Sequence, residues 1–352
     1  MLFTKIIAGS LAVSLASAHP GHDHSKEMVA RREFIGRLPH RDLSHCATKI
    51  KERGLEAYNI QRRSDIAKNA MKKRGLEERD LEELLGTSHE WAKDSDITIP
   101  IDNLFASNGS CILSPETTEG PYYVTGEYIR TNINDNEAGV PLLIDTQVLD
   151  IETCDPVPDI FVEIWHCNST GVYSGIVAQG NGVGPADPSN LDATFHRGVQ
   201  QTDSAGVVGF ETRFPGHYTG RTHHIHVMVH TSAEAQPNGT LIDTTASHVG
   251  QMYFDQDLNN EVEALAPYST NTQPLTLNKD DFILEEQAET SDPFMSYVRL
   301  GDNIEDGILA WISLGVDTTN TRTVHNAAML SEDGGISNDE SCTGDFCGPP
   351  PQ

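Results

Sequence analysis

The sequence predicts a mainly β protein: a β-sandwich domain over residues 95–330, a helical segment before it at 19–94, and a disordered tail after it at 331–352. Three observations carry that reading. Beyond residue 95 the chain breaks into short β-type runs divided by Gly, Pro, Asn and Asp, the texture of a sandwich. Before residue 95, apolar residues recur at helical intervals. The charge also changes there: residues 25–94 hold 16 basic and 13 acidic side chains, whereas residues 95–352 hold 7 basic and 38 acidic.

Taken whole, 352 residues with 37% hydrophobic side chains and 29 glycines have an ordinary globular composition. A net charge of −28 repels phosphate backbones, so no nucleic-acid partner is expected.

Residues 1–18 carry Lys5, an apolar run from Ile6 to Ala16, and the small-residue site Ala16-Ser17-Ala18. This is the pattern of a cleaved secretory signal, and the run is too short to span a bilayer. Secretion without membrane attachment is therefore expected. Six cysteines fit an oxidising compartment: Cys46, Cys111, Cys154, Cys167, Cys342 and Cys347. They allow 15 pairings. Cys342 and Cys347 are close enough in sequence to pair locally. Asn108, Asn168 and Asn238 each begin a glycosylation sequon. His19, with His22 and His24, forms a polar leader whose exposed N-terminal histidine also has the chemistry to bind copper.

From Asp42 to Arg74, Leu43, Ala47, Ile50, Ala57, Tyr58, Ile66, Ala70 and Met71 follow helical spacing, with Gly75 as the stop. Glu77 to Leu85 reads as a second short helix. This basic segment is either a docking arm, through which two copies form a homodimer, or a pro-segment cut at Arg62-Arg63 or Lys72-Lys73-Arg74. Cys46 offers a tether to the main domain.

Strands are expected at Leu142–Ile151, Ile160–Cys167, Thr194–Thr202, Val207–Thr212 and His223–His230, with a hairpin turn at Asp203-Ser-Ala-Gly206. The apolar run Gly307–Val316 reads as core. On the fifth strand, alternation places His224, His226, Met228 and His230 on one face, and His223, Ile225, Val227 and Val229 on the other. The second set belongs to the core. The first offers two imidazoles at a spacing suited to one metal. Tyr218 and Tyr173 add phenol oxygens, which only a strongly Lewis-acidic cation such as Fe(III) holds as phenolates at neutral pH.

Several motifs recur here in a fixed order: Glu119-Gly-Pro-Tyr-Tyr123, Val162-Glu-Ile-Trp165 through Gly171-Val-Tyr173, and Thr202-Asp-Ser-Ala-Gly206 with Gly209-Phe. Pro215-Gly-His-Tyr218, Arg221-Thr-His-His224-Ile-His226 and His248-Val-Gly-Gln-Met-Tyr-Phe-Asp255 follow. As an ordered set over roughly residues 110–270, they resemble the intradiol ring-cleavage dioxygenases, especially their secreted fungal-type branch.

The resemblance implies one non-haem Fe(III) per chain, held by Tyr173, Tyr218, His224 and His226. It places a catalytic arginine at Arg221, with Tyr218 also acting in catalysis. Pro121, Tyr122 and Gln251 fall where the family lines its substrate site. The implied activity is cleavage of a catechol-type ring by O2 between the two hydroxyl-bearing carbons, giving a cis,cis-muconate-type product. Two departures stand out: Thr222 replaces the family proline, and His223 adds an imidazole that alternation turns away from the metal. Two other classes compete. One is a superoxide-dismutase-like copper protein using His224 and His226. The other is an extracellular carbohydrate- or cell-wall-binding sandwich without catalysis.

Overall fold

The computed structural model describes residues 29, 33–34, 36–37, 43–76, 110–112, 120, 122–178, 180–182, 187–243, 245–288 and 291–338. The expected signal segment, the His19 leader, the helix at Glu77–Leu85, Pro121, Asn108, Cys342 and Cys347 lie outside these residues.

Two helices open the described chain, α1 (Ala47–Glu52) and α2 (Leu55–Arg74). The helical run expected from Asp42 is broken at Gly54, whose φ of 71° only glycine adopts without strain. Gly75 ends α2 as the sequence predicts. It is left-handed, and the Leu76 N–H returns to the Met71 carbonyl at 3.1 Å.

The strands follow in chain order. They are β1 (Ser110–Ile112), β2 (Val124–Thr125), β3 (Glu127–Tyr128), β4 (Pro141–Asp150), β5 (Phe161–Trp165), β6 (Arg197–Gln201), β7 (Val207–Arg213) and β8 (His224–His230). After these come β9 (Thr240–Leu241), β10 (Thr245–Ala246), β11 (His248–Tyr253), β12 (Ser296–Arg299), β13 (Ile308–Val316), β14 (Arg322–Thr323), β15 (Ala328–Ser331) and β16 (Gly334–Ser337). Helices α3 (Gln256–Glu263) and α4 (Phe282–Ala288) fill the connection between β11 and β12.

Two sheets face each other. One has the order β1-β13-β4-β7, with β12 also on β13; the other is the antiparallel set β11-β8-β5-β6. Leu142, Ile144 and Val148 of β4 and Ile308, Ala310 and Ile312 of β13 meet Val162, Ile164, Ile225, Val227 and Val229 of the second sheet. Burying such a layer removes apolar surface from water at about 25 cal/mol per Å², the main drive for closing the sandwich. Strand β8 is buried along its whole length, so its outward row also sits under protein.

The outer face of the first sheet is covered by α2, whose Ala67, Ala70 and Met71 pack on Leu143, Val298, Leu309 and Trp311. Arg62 grips Asp145 through two bonds of 2.9 and 2.7 Å, and buried Arg63 adds a third at 2.8 Å. Cys46 bonds to Cys154 across 108 residues, realising the expected tether. Thus α2 lays its apolar face on its own domain, and the dibasic pair Arg62-Arg63 is part of that seat.

The polar tail begins later than the composition suggests. β15 and β16 form a hairpin, and β15 pairs in parallel with β2, Ala328 opposite Val124. The Ala327 N–H also donates to the Tyr123 carbonyl at 2.8 Å. Ala328 and Leu330 are buried in the cluster of Tyr122, Tyr123 and Val124, and pairing with β15 orders Gly334–Ser337 beyond them. The Asn168 amide is committed too, its Oδ1 accepting from Thr170 and Val172 N–H groups at 3.1 Å.

Candidate metal centre

The site lies on the outer face of the second sheet, built in cross-strand rows. On β8, His226 faces Trp165 of β5 and Gln251 of β11, while His224 faces Tyr253. Because alternation sends Ile225 and Val227 inward, both imidazoles project outward. The Trp165 ring stacks flat on His226, with centroids 4.8 Å apart. Gly120 (φ 76°) also lies close to this ring, and a Cβ there would meet His226 Cε1 at 3.0 Å.

Two loops bring the tyrosines. The turn after β5 carries Tyr173, whose hydroxyl lies 3.2 Å from His224 Nε2. The loop between β7 and β8 carries Tyr218, its ring 5.5 Å from those of both Tyr173 and His224. The Nε2 atoms of His224 and His226 are 3.2 Å apart. Tyr122 closes the cluster, its ring 4.9 Å from Tyr173 and 5.9 Å from Tyr218.

His224 Nδ1 donates to the Thr222 carbonyl at 2.6 Å, which leaves Nε2 as the ring atom turned toward the other donors. Burial, with Arg221 and Arg197 nearby, holds His226 well below its ordinary range and therefore neutral. Burial also pushes both Tyr173 and Tyr218 phenols upward. Two imidazoles and two phenols converge in this buried space as a set of nitrogen and oxygen donors. The close approach of His224 Nε2, His226 Nε2 and the Tyr173 oxygen suits one metal ion with nitrogen and oxygen ligands.

Arg221 lies beside the donors, fully buried. Its Nη1 is 3.5 Å from the Tyr218 hydroxyl, Nη2 donates to Tyr253 at 2.9 Å and to Gln251 Oε1, and Nε donates to Asp281 at 2.9 and 3.2 Å. Although burial opposes it, the Asp281 carboxylate keeps the guanidinium charged, its pKa raised. Tyr253 donates to Gln251 Oε1 at 2.6 Å, which fixes that amide and leaves Gln251 Nε2 buried with no partner among the described residues. Asp281 also accepts from the Ile283 and Leu284 N–H groups at 2.9 and 3.1 Å, capping α4.

The structure thus gathers Tyr173, Tyr218, His224, His226, Arg221, Gln251 and Tyr122 in one place. His223 turns the other way and bonds Glu263 at 2.7 Å. Sequence reasoning missed Asp281 and gave Tyr253 and Trp165 no role. Tyr253 and Trp165 lay inside quoted motifs, at β positions that alternation would have put on the site face. Asp281 left no such signal, being 60 residues from Arg221.

A two-tyrosine, two-histidine donor set on the sheet of a β-sandwich, with a buried arginine beside it, has the composition to hold one metal ion. Comparison with known proteins makes it specific. The sequence profile of the family described as Dioxygenase matches residues 118–259. Catechol 1,2-dioxygenase 1 of Acinetobacter lwoffii is 33% identical over 111 residues, covering 30% of this chain and 32% of that protein. The chain thus spans about a third of the length of this curated relative. An intradiol ring-cleavage dioxygenase structure from Tetranychus urticae is 30% identical, covering 61% of this chain and 97% of that one, with a TM-score of 0.48. The chain belongs to the intradiol ring-cleavage dioxygenase family.

Proposed function

We propose that the protein is a secreted intradiol dioxygenase that opens catechol-type rings with O2 between the hydroxyl-bearing carbons, yielding cis,cis-muconate-type products. One non-haem Fe(III) per chain would be held by Tyr173, Tyr218, His224 and His226. The observation that carries this reading is the convergence of two buried phenols on two buried imidazoles, a set whose oxygen donors suit a hard trivalent cation.

When bound, Fe(III) would supply Lewis acidity toward the two substrate oxygens and a path for charge from ring to O2. The remaining work falls to the chain. Tyr218, its hydroxyl 3.5 Å from the Arg221 guanidinium, would accept a substrate proton at its oxygen. Tyr173, its hydroxyl set against His224 instead, would keep its place. Arg221 puts a permanent, planar positive charge where negative charge develops on the ring. Asp281 and Tyr253 hold it there, and the free Gln251 Nε2 donor is available to a bound oxygen. Tyr122 packs as a wall over both tyrosines. Both atoms of O2 enter the product, so no external reductant is required.

The Cys46–Cys154 disulfide and the signal-like residues 1–18 support export.

A visible spectrum of the purified protein, repeated with catechol in the absence of oxygen, tests the reading. A tyrosinate-to-Fe(III) band that moves to longer wavelength with catechol is expected, and Tyr218→Phe should weaken it. A protein that stays colourless after Fe(III) loading and catechol addition overturns the proposal.

A further inference from the structure

We propose that Glu263 and Gln273 are positioning residues that lock the Tyr218 loop to the Tyr173 turn on one side and to the root of β8 on the other. The inference rests on the metal reading above and extends it to two side chains that touch no proposed ligand. Both lie on the segment that starts with the last residue of α3, remote in sequence from every ligand.

Glu263 serves two imidazoles with one oxygen. Its Oε1 accepts from His217 Nδ1 at 2.7 Å and from His223 Nε2 at 2.7 Å. His217 is the chain neighbour of Tyr218, and His223 of His224. Both imidazoles are almost fully buried, at 2% and 1% exposure. A single carboxylate therefore fixes the distance between the residue preceding one ligand and the residue preceding another. His223, the imidazole that departs from the family motif, gains a purpose in this arrangement.

Gln273 ties the same loop to the other tyrosine. Its Oε1 accepts from the Thr219 N–H at 3.1 Å, while its Nε2 donates to the carbonyls of Thr170 and Gly171 at 3.0 and 3.2 Å. Thr219 follows Tyr218, and Gly171 lies two residues before Tyr173. The Gln273 carbonyl also accepts from His217 Nε2 at 3.0 Å, and Asn271 Nδ2 donates to the His217 carbonyl at 2.8 Å. The Gln273 side chain accepts at Oε1 and donates at Nε2, so neither glutamate nor leucine reproduces it.

The backbones show independently that the two loops must meet. A Cβ at Gly171 (φ 81°) would strike the His217 carbonyl and the Gln273 amide, and a Cβ at Gly216 would lie 2.5 Å from the Asn168 carbonyl. Glycine at both points allows main-chain contact between the Tyr173 turn and the Tyr218 loop, and Gln273 bridges the seam. A ligand expected to leave and return needs a loop with one resting position. Outer partners of this kind commonly govern metal affinity by 10- to 100-fold.

Three groups drawn from His217, His223 and Glu263 could also hold a cation of their own. The 2.7 Å separations are those of charge-assisted hydrogen bonds, with protons on the donor nitrogens, and the brace reading requires those protons.

The test compares Glu263→Ala, Gln273→Ala and His217→Asn with the parent protein after Fe(III) loading. Asparagine retains a donor near the Nδ1 position of His217. The readouts are the tyrosinate band, the rate of iron loss to a chelator, iron content per chain and the thermal midpoint. The two alanine variants should show a weaker band and iron loss accelerated about tenfold or more, with His217→Asn close to the parent. Variants with a lowered midpoint but unchanged band and iron retention would show a merely structural role and overturn the inference. So would two metal ions in the parent with one lost in Glu263→Ala, since the trio would then be a second metal site. A parent protein that binds no iron and shows no band removes the metal reading, and this inference with it.

Discussion

Asp281 stands directly behind Arg221, its carboxylate accepting Nε at 2.9 and 3.2 Å with both side chains sealed from solvent. Removing the acid leaves a buried, unpaired guanidinium, which typically costs about 3–5 kcal/mol. Asp281→Ala should lose stability of that order, and its residual activity should fall with kcat rather than KM. Asp281→Asn, which keeps an acceptor for the α4 N–H groups, should lose less. Urea unfolding beside steady-state kinetics checks both.

Gly120 lies against His226. Its φ of 76° disfavours any side chain, and a Cβ would press on the ring at 3.0 Å. Gly120→Ala should therefore tilt the imidazole and lower iron content per chain, measured by metal analysis. The protein should stay folded by circular dichroism, because Gly120 lies outside both sheets.

The Cys46–Cys154 bond closes a loop of 108 residues, and a cross-link of that span restricts the unfolded chain by about 4–5 kcal/mol. The paired substitution Cys46→Ser/Cys154→Ser should lower unfolding free energy by that order and expose α2 to proteolysis. In the intact protein, trypsin should not cut at Arg62-Arg63, since both side chains are bound to Asp145. Limited digestion with mass analysis reads this directly.

His230 supplies a pH dependence. Burial opposes its charged form, but Asp243 and Glu163 bonds at 3.1 and 3.0 Å outweigh burial and hold the ring up at about 9. The folded-state value exceeds the ordinary 6.5, so the stabilisation is complete below about 6.5 and is lost as pH rises through 9. Glu127, pushed up to about 8 by burial, acts in the same direction between its ordinary value of 4.5 and 8. Unfolding free energy should fall from pH 6.5 to 9 at up to about 1.4 kcal/mol per unit for each proton. His230→Gln should flatten the upper part of that fall, as followed by urea titrations across the range.

Much of this architecture is legible in the sequence because it is local. Alternation along His224–His230 assigns faces without any knowledge of partners, and Gly75 announces the end of α2 through its own backbone freedom. The break at Gly54 was harder to see, since apolar spacing continues across it. Asp281, Glu263 and Gln273 were invisible for a different reason. Each meets the site only through tertiary folding, across 40 to 103 residues, and a single acid or amide in a polar stretch carries no periodicity. The second strand of the hairpin, Gly334–Ser337, was hidden because its order comes from pairing with β15, which composition does not record.

That hairpin has a consequence for how the molecule is made. Val124 and Tyr123, next to the pocket wall at Tyr122, find their backbone partners only at Ala327 and Ala328, roughly two hundred residues later. At ribosomal speeds of about 5–20 residues per second, β2 waits on the order of ten seconds or more for its neighbour. The histidine strand and both tyrosine loops emerge well before then. The donors therefore leave the ribosome early and the backbone partner of the Tyr122 wall last, so a chain arrested before residue 327 would carry every donor with that wall unbacked.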